Sequence, residues 1–273
     1  MQILTLTTDI GENDYIIGAI KGQLLSANPA LNIVDITHAL SPFNYQQTAY
    51  ICANAYKHYP GYTLHVVIVN LFETLPDKVL IAYYNQQYII CPDNGILTMI
   101  TGVKPPDIIA VKVNTSKGFG TLQYTQTIAN TVSYLNSGKN IFDIGEPVET
   151  IEEKYPLRAT IGTNWIEGQI IFIDNFENVV VNITKEEFDE QRKGRSFNIV
   201  FTRNEVINKL SDNYASSSPG EKVAWFNSAG YLEIAINKGN MAGLFGLQGF
   251  SEGPQNAAVQ NKWFYQTVRI FFE

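Results

Sequence analysis

The sequence predicts two domains: an α/β domain with a mostly parallel sheet and helices on both faces, then an all-β domain, a small barrel or sandwich. Three observations carry this expectation. Strand-like and helix-like runs alternate between Ile3 and Leu135. A stretch holding Gly145, Pro147, Pro156 and several acids breaks the pattern between Lys139 and Arg158. Beyond it, almost every periodic run reads as a strand. The expected boundaries are 1–145 for the first domain, 146–160 for the linker and 161–273 for the second domain.

Each element follows from local pattern. Ile3–Thr8 is a short β run, and Asp14–Leu25 carries Ile16, Ile17, Ile20, Leu24 and Leu25 at helical spacing. Asn32–Thr37 reads as a strand. Tyr45–Tyr56 reads as a helix entered after Pro42, with Ala49, Cys52, Ala53 and Tyr56 on one face. Thr63–Val69 is nearly all apolar, as expected of a strand covered on both sides. Val79–Tyr84 and Gln87–Cys91 are two strands joined by a turn, followed by a strand at Ile108–Val113 and a helix at Thr127–Leu135. In the second half, strands are expected at Glu167–Ile173, Asn178–Ile183, Phe197–Thr202, Lys222–Trp225, Tyr231–Ile236 and Phe264–Phe272. Helical signal there is confined to Glu186–Arg192 and a turn at Asn240–Leu244, and Ala215–Gly220 reads as an exposed loop.

Composition excludes several classes. In 273 residues, 19 Lys and Arg face 26 Asp and Glu, a formal charge of −7, which argues against a phosphate-binding nucleic-acid groove. Two cysteines provide neither a disulfide framework nor a four-thiolate zinc site. Cys52 and Cys91 lie in apolar stretches and read as buried structural thiols. The only histidines are His38, His58 and His65, so a His-based metal site or triad assembled from distant parts of the chain is excluded. The opening residues read as a strand rather than a signal segment, and no apolar run approaches the roughly 18 residues of a membrane helix. A cytoplasmic protein without membrane contact is expected.

Five segments can carry chemistry. Thr7-Thr-Asp-Ile-Gly-Glu-Asn-Asp14 follows the first strand and opens a helix, where open α/β sheets bind ligands. Its Asp9 either accepts the two hydroxyls of a ribose or, like Asn13, caps the helix. Val34-Asp-Ile-Thr-His38 and Ser41-Pro-Phe43 end the second strand. His38 is either functional or a packed residue bonded to backbone, and Phe43 either stacks on a base or fills core. Cys91-Pro-Asp-Asn-Gly95 is a turn signal between a strand and a helix. Ile173–Asn178 and Phe226–Tyr231 are hairpin loops rich in Asn, Asp and Ser.

In this order the segments resemble the S-adenosylmethionine hydroxide adenosyltransferases, the superfamily that includes the fluorinases and chlorinases. The resemblance extends nearly end to end. It rests on Thr7–Gly11 with Asp14 and Lys21-Gly22, Val34–His38 with Pro42, and Pro92–Gly95. It continues through Ile173-Asp174, Phe176-Glu-Asn178 and Asn182-Ile183, then Asn227–Ala235 and Gly239-Asn240. It implies a barrel-like second domain and a homotrimer, with a small adenosyl ligand bound between the first domain of one subunit and the second domain of its neighbour. No metal or organic cofactor is implied, S-adenosylmethionine being substrate or ligand. The implied ligand contacts are Asp9, Asp14, Phe43, Asn94, Asp174, Asn178, Asn227 and Ser228. Among these, Asp9 would hold the ribose hydroxyls, Phe43 would border ribose and sulfonium, and Asp174 would meet the methionine ammonium. Asn178 would read the adenine edge and Ser228 would hold the methionine carboxylate.

The hydrolytic members orient and activate water with Asp, Arg and His. By spacing, those positions hold Asn70, Asp77 and Gln123 here, with Lys78 at a second Arg position. Neither Asn nor Gln takes up a proton near neutral pH, and loss of a general base typically costs about 10²–10⁴ in rate. Glu73 or Asp77 is the candidate replacement carboxylate, with Lys78 to lower its pKa. Glu177 stands where the family has Gly, and Ala229 where the halogenating members have Arg. The expected function is cleavage of S-adenosylmethionine by water at C5′, giving adenosine and L-methionine. The alternatives are a non-catalytic adenosyl-ligand binder and, third, a halide adenosyltransferase.

Overall fold

A computed structural model describes residues 2–114, 118–137, 140–202, 205–249 and 266–273. The chain divides into two compact units, Met1–Pro156 and Leu157–Glu273.

The first unit contains strands β1 (Gln2–Thr8), β2 (Leu31–Thr37), β3 (Leu64–Ile68), β4 (Lys78–Tyr84), β5 (Gln87–Pro92), β6 (Asp107–Lys112) and β7 (Glu146–Pro147). Its helices are α1 (Tyr15–Ala27), α2 (Tyr45–Ala55), α3 (Ile96–Thr101) and α4 (Thr121–Asn136). The sheet order is β2-β1-β3-β5-β4-β6-β7. Strands β2, β1, β3 and β5 pair in parallel. The pairings β5-β4, β4-β6 and β6-β7 are antiparallel. The sheet is therefore mixed, which corrects the mostly parallel expectation. The cause is local: only Asn85 and Gln86 separate β4 from β5, both at positive φ (48° and 62°). A two-residue loop of that kind joins only antiparallel neighbours.

Every residue of β3 is buried, as its apolar run requires. On one face Leu4, Leu6, Val66 and Ile68 pack with Ile20 and Leu24 of α1 and Ile128 and Val132 of α4. On the other, Val67, Val69 and Ile89 pack with Ala49 and Cys52 of α2 and Met99 and Ile100 of α3. Both cysteines are buried, and burial pushes the Cys52 thiol up to about 12. Helix α4 begins at Thr121, six residues before the expected Thr127; Gly120 stands at its N-cap with no side-chain cap, so no polar capping residue marks the start in the sequence. Asp14 caps α1, its Oδ1 accepting from the Ile16 N–H at 3.2 Å, so the cap is neither Asp9 nor Asn13.

The second unit contains β8 (Thr160–Ile161), β9 (Trp165–Ile173), β10 (Val179–Thr184), β11 (Phe197–Thr202), β12 (Glu205–Ile207), β13 (Lys222–Phe226), β14 (Tyr231–Ile236) and β15 (Thr267–Phe272). Phe264 and Tyr265, expected to begin the last strand, lie outside the described residues, as does Lys139. The antiparallel order β12-β11-β15-β9-β10-β14-β13 makes a nearly closed, barrel-like sheet, with β8 paired to β9. A Lys222–Glu205 ion pair and the Ser211 N–H to Ala224 O bond (2.8 Å) cross its seam. In β11 and β15 buried residues alternate with more exposed ones, so Phe197, Ile199, Phe201, Val268, Ile270 and Phe272 face the core. The unit is not purely β. It also has α5 (Lys185–Arg192), opened by a Thr184–Glu187 capping box, and α6 (Met241–Phe245). Phe188 of α5 is fully buried among Phe197, Phe226 and Phe272, which explains why so polar a helix forms there.

Candidate functional site

Strand order reverses between β1 and β3: the chain leaves β1 through α1 on one face and β2 through α2 on the other. Ligands bind at the carboxyl ends of strands at such a point. Thr8 and Ile68 lie in register, so the residues just past them meet. The Asn70 N–H donates to Asp9 Oδ2 at 2.8 Å, and Asn70 Oδ1 accepts from the Phe43 N–H at 2.8 Å. Phe43 and Asn70 both have positive φ (60° and 48°). Asn tolerates that conformation; Phe does so at a cost of order 1–3 kcal/mol, a kind of strain concentrated at functional sites. The ring of Phe43 is half exposed (51%).

Asp9, Phe43, Asn70, Phe72, Glu73 and Thr121 help to line one cavity of about 260 Å³. Burial raises the Asp9 carboxyl above the ordinary aspartate value, although backbone N–H groups, including that of Asn70, pull the other way. For Glu73, burial acts upward, but hydrogen bonds from Lys154 and Tyr45 and the Lys154 charge outweigh it and hold the carboxyl below its usual value.

The remaining residues named from sequence in this unit are placed differently. Asn94 is buried, its Nδ2 donating to the carbonyls of Val69 (2.8 Å) and Asn70 (3.2 Å), so it fixes the loop carrying Asn70. Asp77 is exposed, and its carbonyl accepts from the Val113 N–H at 2.7 Å. Lys78 pairs with the buried Asp93 at 2.6 Å, so it is not the cation beside Glu73 or Asp77. Gln123 occupies the first turn of α4, two residues beyond Thr121 of the cavity, with Oε1 folded back toward Gly120. The His38 ring bonds a side chain rather than backbone: Nδ1 is 2.9 Å from Thr8 Oγ1, while Nε2 lies 3.2 Å from Asp35 without hydrogen-bond geometry.

In the second unit the loops after β9 and β13 form one polar network. Asp174 Oδ1 accepts from the N–H groups of Phe176 (2.9 Å) and Asn178 (2.8 Å), and Oδ2 accepts from Asn178 Nδ2 (3.0 Å). Asn178 Nδ2 also donates to the Tyr214 oxygen at 3.2 Å, and the Tyr214 hydroxyl donates to Glu233. Asn227 Nδ2 reaches the other Glu233 oxygen at 3.1 Å, while its Oδ1 accepts from Ala229 and Tyr231 N–H groups. Asp174, Asn178 and Asn227 thus belong to one network, with Ser228 exposed in the turn beside it. Burial, then the Glu233 carboxylate, push the Tyr214 hydroxyl well above its ordinary value, so it stays a donor. Sequence reasoning missed Tyr214 and Glu233. A signal existed for Glu233, an acid inside the apolar run Tyr231–Ile236 and buried in the structure.

The SAM hydroxide adenosyltransferase N-terminal domain matches residues 4–145 and the C-terminal domain of the same family matches residues 168–252. The chain belongs to that family. It is 26% identical over 265 residues to the (R)-S-adenosyl-L-methionine hydrolase of Methanocaldococcus jannaschii, covering 92% of this chain and 95% of that one. It is 21% identical to the fluorinase of an Actinoplanes species, covering 90% and 94%. In structure it is similar to a conserved protein of Thermotoga maritima, with a TM-score of 0.80 over 99% of this chain and all of that one at 21% identity, a likeness of fold.

Proposed function

We propose that the protein cleaves S-adenosylmethionine with water, giving adenosine and L-methionine, and does so as a cytoplasmic homotrimer without a metal or organic cofactor. The observation that carries this reading is the Asp9 carboxylate in a crevice at the strand switch point, lined by aromatic rings and a second carboxylate, Glu73. A carboxylate accepts two hydroxyl donors, as a ribose diol offers. Aromatic faces and negative charge suit a sulfonium. Oxygen bonds to C5′ as the C5′–S bond breaks, the sulfur keeps the electron pair, and one water proton is released. Glu73 is the carboxylate best situated to accept that proton's hydrogen bond; held below its usual pKa, it passes the proton on to solvent. Asn70 and Asn94 shape the loop. In the second unit, Asp174, Asn178, Asn227 and Ser228 are the ligand contacts of this reading.

One observation favours the binder as second reading. Asn70 has its side-chain oxygen engaged by Phe43, so no free base stands at that position. Chromatography of S-adenosylmethionine incubated with the protein, with and without chloride, separates the readings. Adenosine formed by the wild type and lost in Asp9→Ala is the expected result. Intact ligand recovered in complex with the protein would favour the binder, and a 5′-chloro product would favour halide transfer.

A further inference from the structure

We infer that Lys154, which no sequence motif singles out, is a positioning residue that holds the Glu73 carboxylate ionised and in place at the Asp9 cavity. The inference rests on the functional reading above. The two Glu73 oxygens are engaged from two different parts of the unit: Oε1 by Lys154 Nζ at 2.7 Å, and Oε2 by the Tyr45 hydroxyl at 2.5 Å. The Lys154 ammonium also lies 3.8 Å from the centroid of the Tyr45 ring, so one tyrosine seats both partners. Tyr45 is buried at the start of α2 and makes a fixed post.

Lys154 is itself tied down. Its N–H donates to Thr98 Oγ1 at 3.0 Å and its carbonyl accepts from that hydroxyl at 2.5 Å. Its stem crosses Gly95, where a Cβ would stand 2.5 Å from Lys154 Cγ. Two residues earlier the Glu152 N–H donates to Asp93 at 2.8 Å. The segment around Lys154 is thus strapped to the Asp93-Asn94-Gly95 turn, the same turn whose Asn94 fixes the Asn70 loop. The charged and titratable groups around Glu73 are Lys154, Tyr45 and, across the cavity, Asp9. Lys78 is committed to Asp93. A carboxylate offers about four lone-pair sites, so with two engaged Glu73 still accepts from a water or ligand hydroxyl.

The test is carbon-13 NMR of protein labelled at the glutamate carboxyl, in which Asp9 is silent and Glu73 is assigned by its absence in Glu73→Gln. Lys154→Met is expected to raise the Glu73 midpoint by about one pH unit, and Tyr45→Phe by less. With it, turnover of S-adenosylmethionine falls more at pH 6 than at pH 8, and Lys154→Arg restores it. An unchanged Glu73 midpoint in Lys154→Met overturns the inference, as does a shifted midpoint with unaltered turnover and affinity. If the wild type neither binds nor cleaves S-adenosylmethionine, the functional reading fails, and the midpoint still decides whether Lys154 holds Glu73.

Discussion

Glu177 shows how much a single position carries. It lies in the turn between Asp174 and Asn178 at φ 63°, where the resemblance expects Gly, and its side chain is exposed. A glycine adopts that backbone without the Cβ clash. Glu177→Gly is therefore expected to stabilise the protein by up to about 1 kcal/mol in urea unfolding, less the entropy glycine adds to the unfolded chain. His65 is the opposite case, a buried polar residue with no role in the cavity. Its Nδ1 meets Thr5 Oγ1 at 2.8 Å and its Nε2 meets Gln87 Oε1 at 3.1 Å, and burial lowers its pKa from 6.5 to about 4. The unfolded chain binds the proton first as pH falls, so stability from the neutral ring is full above pH 6.5 and is lost toward pH 4. The loss is on the order of 3 kcal/mol, and His65→Gln should flatten the stability curve across that window. At this scale much of the candidate site was legible, because Asp9 and Phe43 lie in segments at strand ends that the sequence singles out, and spacing placed Asn70. Lys154 was not, since it meets Glu73 from 81 positions away and no local pattern encodes such a pair.

At the scale of elements, the Cys91–Gly95 segment reads from sequence as a turn and, through the resemblance, as the source of a ligand contact at Asn94; in the structure it connects three parts of the first unit. Asp93 binds Lys78 and the Glu152 N–H, Asn94 holds the loop after β3, and Gly95 leaves room for Lys154. Gly95 has φ 93° and its missing Cβ would clash with the Lys154 stem. Gly95→Ala is expected to destabilise the protein by about 1–3 kcal/mol in urea unfolding and to loosen Lys154. Periodicity located the strands that build both sheets to within a few residues, because each presents an apolar face or lies wholly in the core. Short elements escaped it. β7, β8 and β12 have two or three residues each, too few for a period. Strand direction was missed although the turn implied it: only Asn85 and Gln86 join β4 to β5, a length that sets the two strands antiparallel and breaks the parallel pattern.

The whole molecule has two units, each with its own core, and a formal charge of −7. Among the described residues, no helix is long and apolar enough to cross a membrane, and no three His, Cys, Asp or Glu are grouped to hold a metal ion. Each unit contributes a separate polar constellation, Asp9 with Glu73 in the first and Asp174 with Asn178 and Glu233 in the second. Family membership was legible because its motifs span both units in order. The nucleophile was not, because Asn70, Asp77 and Gln123 stand by spacing at the positions where the resemblance expects the water-activating residues. The most direct test is to incubate the protein with S-adenosylmethionine in oxygen-18-labelled water and examine the products by mass spectrometry. The expected products are L-methionine and adenosine carrying the heavy oxygen at its 5′-hydroxyl, both absent with Asp9→Ala. Intact S-adenosylmethionine, or adenosine without the label, would contradict the proposed cleavage by water.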